Sequence, residues 1–231
     1  MPSERLLLLS NSTQHGQGFL DHAEDAIMGF LRRERRIAFV PYAAHDLDAY
    51  EAKVRARLGA MGFEVYSVHH GPQSLEGAQA VFIGGGNTFR LLYGLYEYGW
   101  LPLITEAVQA GLPFVGSSAG SIVAGPTIKT TKDMPVLEPA SFNAFGFVPF
   151  QISPHYQDPD PLSTHMGETQ EERIGHFLEE NDARVVGLRE GSMLRTENGS
   201  TLLLGPHMAR LFQRSCPPSE CPPGPLRWGN A

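Results

Sequence analysis

Cysteine is scarce in this chain of 231 residues, which holds only Cys216 and Cys221. Both lie in the proline-rich stretch 215–225, where they form neither a disulfide framework nor a two-pair zinc site. Their position also excludes a cysteine nucleophile in the core. The chain lacks a run of about 18 apolar residues and a signal-type segment at its start. We therefore expect a cytoplasmic protein that does not span a membrane.

Positive charge is also in short supply, since 18 Lys and Arg face 25 Asp and Glu, for a formal net charge of −7. Nucleic acid and anionic membranes attract basic surfaces, so neither is an expected partner. An acidic substrate would need a local cationic pocket.

Length and a hydrophobic content of 42% allow one large core. We expect residues 1–214 to form a single α/β domain. The proline density opposes regular structure from residue 215 onward, so the stretch 215–231 is predicted to be a disordered tail.

Short apolar runs alternate with segments of helical periodicity along the first half of the chain. Continuous apolar runs of this length are typical of strands buried on both faces of a parallel sheet. The pattern predicts a doubly wound α/β fold, with a mostly parallel sheet and helices on both faces. Later, the Asn198-Gly199 pair predicts a β-hairpin. The apolar runs are 6–9, 37–40, 65–68, 80–83 and 112–115.

The stretch 111–124 contains a Gly-x-Ser-x-Gly motif built from Gly116, Ser118 and Gly120. An apolar strand enters the motif and small residues leave it, which is typical of a nucleophile elbow that presents Ser118 after a central strand. The alternative is a tight Gly/Ser-rich turn that only packs or binds phosphate. In that case the chain would be a ligand-binding module without enzymatic activity.

A second glycine-rich turn, Gly84-Gly85-Gly86-Asn87-Thr88, also follows an apolar run. Its bare backbone N–H groups could hold an anion or an oxyanion. The turn lacks the glycine spacing of dinucleotide sites and the lysine of nucleotide-binding P-loops. Both turns are expected at the carboxyl edge of one sheet, where ligands of such folds bind.

A serine nucleophile needs a base and an acid that orients the base. Among the nine histidines, His155 stands out because it follows an apolar strand and enters a loop. Two acids lie in comparable settings, Asp133 before Met134-Pro135 and Glu190 before Gly191. The residues alone leave the choice between them open.

A metal site is a competing interpretation of the loop that follows His155, because that loop is rich in possible ligands. It contains no His-Glu-x-x-His motif and no other spacing of known metal geometry. We favour a solvated acidic loop, and expect neither a metal nor a cofactor. The possible ligands are His155, Asp158, Asp160, His165 and Glu168.

Several separate motifs, in order from about Leu6 to Phe212, resemble the peptidase E family of α-aspartyl dipeptidases. They are Gly84-Gly-Gly-Asn-Thr-Phe89, Ser117-Ser118-Ala119-Gly120, Thr130-Thr-x-Asp-Met-Pro135, Pro154-His155, Gly167-Glu-Thr169 with Arg173-Ile174, and Glu190-Gly191.

The resemblance implies a class I glutamine amidotransferase-like fold with serine at the elbow where that group normally carries cysteine. It implies a cofactor-free serine dipeptidase that releases an N-terminal aspartate from Asp-X dipeptides, and a possible homodimer. Ser118 would be the nucleophile and His155 the base, with Asp133 preferred over Glu190 as third member. The N–H groups of Gly85 or Gly86 and of Ala119 would bind the oxyanion. A related alternative is a cyanophycinase-like exopeptidase that acts on β-linked aspartyl substrates.

The chain departs from the family at Gln170, since Gly-Glu-Thr is commonly followed there by arginine. The helix that begins after Thr169, with Glu172 as its capping-box partner, places Arg173 in its second turn. We expect Arg173 to bind the aspartyl carboxylate of the substrate, with Gln170 and Asn87 as further substrate-binding residues. The alternative cations are Lys132, Arg90 and Arg189.

Overall fold

The structure is a computed structural model that describes residues 4–71, 73–162, 164 and 166–228. Its helices are α1 (Glu24–Phe30), α2 (Leu47–Ala60), α3 (Thr88–Glu97), α4 (Trp100–Gln109), α5 (Ala119–Ile122) and α6 (Gln170–Glu180). Its strands are β1 (Leu6–Leu9), β2 (Arg36–Val40), β3 (Glu64–Ser67), β4 (Ala80–Ile83), β5 (Phe114–Ser117), β6 (Gln151–Pro154), β7 (Arg184–Leu188), β8 (Met193–Glu197), β9 (Ser200–Leu204), β10 (Ala209–Gln213), β11 (Cys216–Cys221) and β12 (Gly224–Pro225).

The larger sheet has eight strands in the order β12-β9-β8-β1-β5-β4-β2-β3. The five strands from β1 to β3 in this order pair in parallel. On the other side of β1 the strands β8, β9 and β12 pair antiparallel, and β8 and β9 form the hairpin predicted at Asn198-Gly199. The predicted α/β fold with a mostly parallel central sheet is confirmed.

Alternate residues of β1 enter two different cores, because successive side chains of a strand point to opposite faces. Leu6 and Leu8 pack with α3 and α4, whereas Leu7 and Leu9 pack with α1 and α2. All four leucines are fully buried. Helices therefore cover both faces of the sheet, as the doubly wound pattern predicts.

A second sheet of four strands, in the order β11-β10-β7-β6, was not foreseen from the sequence. Strands β6 and β7 run parallel, while β10 and β11 complete the sheet in antiparallel pairings. One side of this sheet joins the core of the larger sheet, and α6 packs with Val185 and Phe212 on the other. This arrangement brings His155, just after β6, to the carboxyl edge of the larger sheet.

The prediction of a disordered tail from residue 215 is wrong for residues 215–228, and residues 229–231 lie outside the described part of the chain. Cys216–Cys221 forms the edge strand β11 and Gly224–Pro225 pairs with β9. Proline is tolerated at a sheet edge and at irregular pairings, since its missing N–H then leaves no ladder bond unmade. The register indeed shifts between Leu211 and Gln213, opposite the prolines, and the Cys221 side chain is buried in the core.

None of the described helices has the length and apolar composition that crossing a bilayer requires.

Candidate active site

Ser118 lies at the sharp turn between β5 and α5, as the elbow motif predicts. Its backbone has φ of 53° and ψ of −109°, a strained conformation that L-residues rarely adopt. The Ser118 N–H donates to the carbonyl of Leu9, which fixes the turn to β1. A side chain at Gly116 would collide with the carbonyl of Gly120, and one at Gly120 would collide with that of Ile83. The motif glycines therefore allow the close contacts that the strained serine needs.

His155 meets the serine from the second sheet. Its Nε2 lies 2.9 Å from Ser118 Oγ, and its Nδ1 lies 2.6 Å from Glu190 Oε1. His155 is itself in a left-handed conformation, with φ of 52°. The three side chains therefore form a continuous serine–histidine–carboxylate chain of hydrogen bonds, the arrangement that activates a serine for nucleophilic attack.

Two polar residues that follow β1 hold this arrangement in place, and the sequence analysis assigned neither of them a role. The buried Ser10 Oγ accepts from the His155 N–H and donates to the carbonyl of Leu188. The buried Asn11 Oδ1 accepts from the N–H of Gly191, next to Glu190. The signal in the sequence was a pair of polar residues directly after a fully apolar strand, because such groups at the carboxyl edge need partners when buried.

The preference for Asp133 over Glu190 is corrected by this geometry. Asp133 Oδ2 accepts from the N–H and the hydroxyl of Thr88, at 2.7 and 2.6 Å. Asp133 thus binds the start of α3, while Glu190 contacts His155. Both acids follow a strand or turn near the site, so only the register of the second sheet distinguishes them.

The glycine turn after β4 comes close to the serine. A Cβ on Gly85 would lie 3.0 Å from Ser118 Cβ, and Gly86 has a φ of 135° that favours glycine. Ala119 is the first residue of α5, so its N–H has no acceptor within that helix. The predicted oxyanion residues Gly85, Gly86 and Ala119 therefore surround Ser118.

A cavity of about 450 Å³ opens over Ser118, and Asp133 and His155 also line it. On its other side, α2 contributes Tyr50 and Lys53. Burial raises the pKa of Tyr50 to about 12, so its phenol stays protonated at neutral pH. The remaining lining residues are Ser12, Phe19, Ala44, Gly85 and Gly86.

Lys53 has no ion pair among the residues that the structure describes. Its Nζ lies 4.4 Å from the centre of the Phe19 ring, a cation–π contact at the exposed rim of the cavity. In the sequence, helical periodicity marks this lysine only as an exposed position of α2, so its place at the cavity was not foreseen.

Asn87 and Gln170, two predicted substrate-binding residues, have their polar ends occupied by protein partners. Asn87 caps α3 by accepting from the Arg90 N–H, and its amide donates to the carbonyl of Met134. Gln170 donates to Ser153 Oγ, and its oxygen accepts from the Gln157 N–H and, at 3.4 Å, from Lys132 Nζ. These side chains hold the loops around the cavity.

Arg173 and Lys132, two candidate cations, are both exposed and neither lines the cavity, but they contact different partners. The predicted capping box between Thr169 and Glu172 is present. Arg173 is more than half exposed, and its Nε is 3.7 Å from a Glu168 oxygen, so it pairs with a helix neighbour rather than lining the cavity. Lys132 Nζ donates to the His155 carbonyl at 3.1 Å, and desolvation by the surrounding protein lowers the pKa of this lysine.

Within the loop after His155, two of the three described carboxylates are matched with protein cations, and the third, Asp160, accepts from the N–H of Leu162 at 2.9 Å. Asp158 forms two hydrogen bonds with Arg189. Glu168 pairs with Arg173 and His176. These pairs do not favour the metal interpretation of the loop, whose remaining candidate His165 lies outside the described residues.

The family model for peptidase family S51 matches residues 6–204. The chain belongs to peptidase family S51. A curated peptidase E of Streptomyces coelicolor is 56% identical over 218 residues, covering 93% of this chain and 90% of that protein. A Drosophila melanogaster protein named "probable alpha-aspartyl dipeptidase" is 48% identical over 217 residues, covering 91% of this chain and 90% of that protein.

Solved structures support the fold of this S51 member. A crystal structure assigned as a peptidase E from Listeria monocytogenes EGD-e covers 88% of this chain and 98% of that chain, with a TM-score of 0.67 at 20% identity. A peptidase from an acI-B1 Actinobacterium covers 95% of this chain and 94% of that chain, with a TM-score of 0.67 at 15% identity. The class I glutamine amidotransferase-like fold implied by the sequence motifs is confirmed.

Proposed function

We propose that the protein is a serine dipeptidase that hydrolyses Asp-X dipeptides through an acyl-enzyme. The observation that carries the proposal is the hydrogen-bonded chain from Ser118 Oγ through His155 to Glu190, with distances of 2.9 and 2.6 Å. Membership of family S51 and the names of the relatives support a peptidase with this substrate class.

Acylation begins when Ser118 Oγ attacks the carbonyl carbon of the N-terminal aspartyl residue. His155 Nε2 removes the hydroxyl proton. Glu190 accepts a hydrogen bond from the Nδ1–H group of His155 and so stabilises the imidazolium that forms. The imidazolium then donates its proton to the amine of the leaving residue X. The C–N bond breaks, and an aspartyl ester on Ser118 remains.

The carbonyl oxygen gains negative charge during this attack and needs fixed donors. We expect the N–H of Ala119 and an N–H of the Gly85-Gly86 segment to bind it, since Ala119 begins α5 and both glycines line the cavity with Ser118. Each such donor is worth about 3–4 kcal/mol in the transition state. Deacylation reverses the roles: His155 activates a water molecule, the ester is hydrolysed, and aspartate leaves.

An Asp-X dipeptide brings one ammonium and two carboxylates into the site. Asp133 lines the cavity, and only its Oδ2 has side-chain hydrogen-bond partners among the described residues. We assign the substrate ammonium to Asp133 Oδ1. This assignment explains why an acid lies near the serine without contacting the histidine.

Lys132 is the cation that we assign to the aspartyl side chain. Its Nζ lies beside Gln170, the position where the family commonly has arginine, and contacts the His155 carbonyl. A substrate carboxylate buried without a cation would cost several kcal/mol. Lys132 thus supplies the charge that Gln170 lacks. Because Arg173 pairs with Glu168 whereas Lys132 contacts the backbone of the catalytic histidine, the assignment moves from Arg173 to Lys132.

Lys53 is the cation that we assign to the C-terminal carboxylate of the dipeptide. It lines the catalytic cavity, and its ammonium has no competing carboxylate among the described residues. Recognition of a free carboxylate one residue after the scissile bond would restrict the enzyme to dipeptides.

The proposed function is tested by incubating the purified protein with Asp-Leu and measuring free aspartate. We expect hydrolysis of the α-linked dipeptide and, in a parallel assay, little or none of β-linked Asp-Leu. Preference for the β-linked substrate would favour a cyanophycinase-like exopeptidase. No hydrolysis of either, with Asp-Leu still bound, would indicate a ligand-binding module.

We also propose a cytoplasmic location. Both cysteines, Cys216 and Cys221, are free thiols, which agrees with a reducing compartment. Fractionation of cells that express the protein would test this.

A further inference from the structure

A second cluster of chemistry-bearing side chains lies between α2 and the end of β3, and the proposed dipeptidase mechanism does not use it. Asp48 and Glu51 come from the first turns of α2, and His69 and His70 follow β3. One ligand atom from each residue can be chosen so that all four lie within 4.8 Å of one another. None of the four residues lines the cavity over Ser118.

The donor atoms of this cluster converge on one point. His70 Nε2 lies 3.1 Å from Asp48 Oδ1 and 3.0 Å from Glu51 Oε2. His69 Nε2 lies 3.1 Å from the same Asp48 oxygen and 3.9 Å from Glu51 Oε2. Neighbouring ligands of a tetrahedral zinc ion with bonds of about 2.0–2.1 Å are roughly 3.4 Å apart. Small rotations of the two exposed side chains, Asp48 and His70, would therefore complete such a geometry.

Two neighbouring side chains form hydrogen bonds with the candidate ligands, as the outer partners of metal ligands do. Ser67 Oγ lies 2.5 Å from His69 Nδ1, which leaves Nε2 to face the carboxylates. Arg55 donates to Glu51 Oε1, which leaves Oε2 to face the histidines. Partners of this kind fix the orientation of metal-binding imidazoles and carboxylates. The Glu51 side chain is only 8% exposed, so its charge is held in place rather than solvated.

The two imidazoles lie side by side, with ring centres 3.8 Å apart and ring planes tilted by 38°. A divalent cation bound by both imidazoles would also balance the two neighbouring carboxylates, Asp48 and Glu51. Two nitrogen and two oxygen donors suit zinc and neighbouring transition metals, whereas magnesium and calcium prefer oxygen alone.

We propose that Asp48, Glu51, His69 and His70 form a binding site for a zinc-class divalent metal ion. The ion would fasten α2 to the end of β3. The same helix carries Tyr50 and Lys53 to the catalytic cavity, so the metal stabilises the wall of the substrate site without touching the reacting atoms.

The test uses the untagged full chain, freed of metal with EDTA and desalted, and isothermal titration with zinc chloride. We expect one zinc ion per chain, and no saturable binding of magnesium or calcium. His70→Ala and Asp48→Asn should each weaken zinc binding by more than the roughly 10–100-fold that loss of an outer partner causes. Both side chains are largely exposed, so these variants should fold, which far-UV circular dichroism checks.

His176→Ala is the matched control, because this histidine lies on α6 and pairs with Glu168, so its loss should leave zinc binding unchanged. Cobalt(II) gives a second readout: the wild-type chain should show the visible absorption of a low-symmetry protein site, and His70→Ala should not. Absence of saturable zinc binding to the wild type would overturn the proposal. So would equal zinc affinity of the wild type, His70→Ala and Asp48→Asn.

Discussion

Two histidine sites lie at the ends of parallel strands in this molecule, and they differ in how the imidazole nitrogens are used. His155, after β6, has a different partner on each nitrogen, the Ser118 hydroxyl on one side and the Glu190 carboxylate on the other. His69 and His70, after β3, turn their Nε2 atoms toward the same two carboxylates.

The difference separates a proton carrier from a metal ligand. A catalytic histidine takes a proton from the serine and returns it to the leaving amine through one nitrogen, while its other nitrogen donates a hydrogen bond to the orienting carboxylate. Its two nitrogens must therefore face different groups. Metal ligands must instead bring several lone pairs to one point. The backbone agrees with this distinction: His155 has a strained φ of 52°, whereas neither His69 nor His70 is among the described residues with positive φ.

The largest expected effect comes from removing the catalytic imidazole. His155→Ala should lower kcat for Asp-Leu by about 10⁶-fold, because loss of the base disables the whole serine–histidine unit. Zinc affinity, measured on the same preparation, should stay at the wild-type value. A variant that kept activity within tenfold of the wild type, or lost zinc binding with its fold intact, would break the comparison between the two sites.

The next effect distinguishes the two acids near Ser118. Glu190→Gln should lower kcat by about 10⁴-fold, because the amide no longer favours the correct tautomer of His155. Asp133→Asn should chiefly raise KM, through the lost partner of the substrate ammonium. Steady-state kinetics on Asp-Leu measure both parameters. The reverse pattern would restore Asp133 as the acid that orients the base.

Substrate charge gives a smaller and more selective effect. Lys132→Met should lower kcat/KM for Asp-Leu by about 100-fold and change that for Asn-Leu little, because it removes one partner of a charged pair. Lys53→Met should have a similar effect on Asp-Leu and little on Asp-leucinamide, which lacks the free carboxylate.

Two further variants control these lysine tests. Lys129→Met is matched in chemistry, since its ammonium contacts Asn181 away from the cavity, and it should behave as the wild type. Arg173→Met should lower activity by less than tenfold, as expected for an exposed pair with Glu168. A loss of 100-fold in Arg173→Met, confined to Asp-Leu, would return the aspartyl side chain to that arginine.

The smallest expected effect is on thermal stability, and it comes from the residue next to Glu190 in the chain. The preceding residue, Arg189, binds both Asp158 and Glu220, and so ties the catalytic loop to β11. Hydrogen bonds from Arg189 lower the pKa of both carboxyl groups. Arg189→Met should lower Tm at pH 7 by about 2–4 °C, the shift for roughly 1 kcal/mol in a chain of this size after allowing for solvent screening.

The pH dependence of this last effect has a definite sign. Carboxyl groups whose pKa is lowered by folding stabilise the native state above their unfolded pKa, near 4, and lose that contribution as pH falls through the folded pKa. The Tm difference between the wild type and Arg189→Met should therefore shrink on acidification below about pH 4. Calorimetry between pH 2 and pH 7 measures it, and a constant difference would exclude the ionic origin.

The sequence predicted the parallel half of the sheet and the elbow well, because buried strands and glycine turns leave local patterns. The choice between Asp133 and Glu190 depended on long-range register: both acids follow similar local motifs, and only the pairing of β6 with β7 places Glu190 beside His155. The segment after residue 215 is likewise ordered by a long-range contact, because β11 pairs with the edge of β10. The number of prolines in that segment does not reveal this pairing.

The His69-His70 pair escaped the sequence analysis for a related reason. Its carboxylate partners, Asp48 and Glu51, lie in another element about twenty residues earlier, and they meet the histidines only because α2 packs beside β3. Spacing rules recognise metal sites whose ligands share one helix or turn, and not ones assembled between elements.

Hydrolysis of Asp-Leu by the wild-type chain and by Ser118→Ala, both freed of metal with EDTA, tests the central claim most directly. If Ser118 is the nucleophile and the metal site stands apart from the chemistry, the wild type keeps its activity and the variant loses about 10⁶-fold. Persistence of activity in Ser118→Ala within tenfold, together with its loss from the wild type on EDTA treatment, would contradict the account and identify a metal-dependent hydrolase.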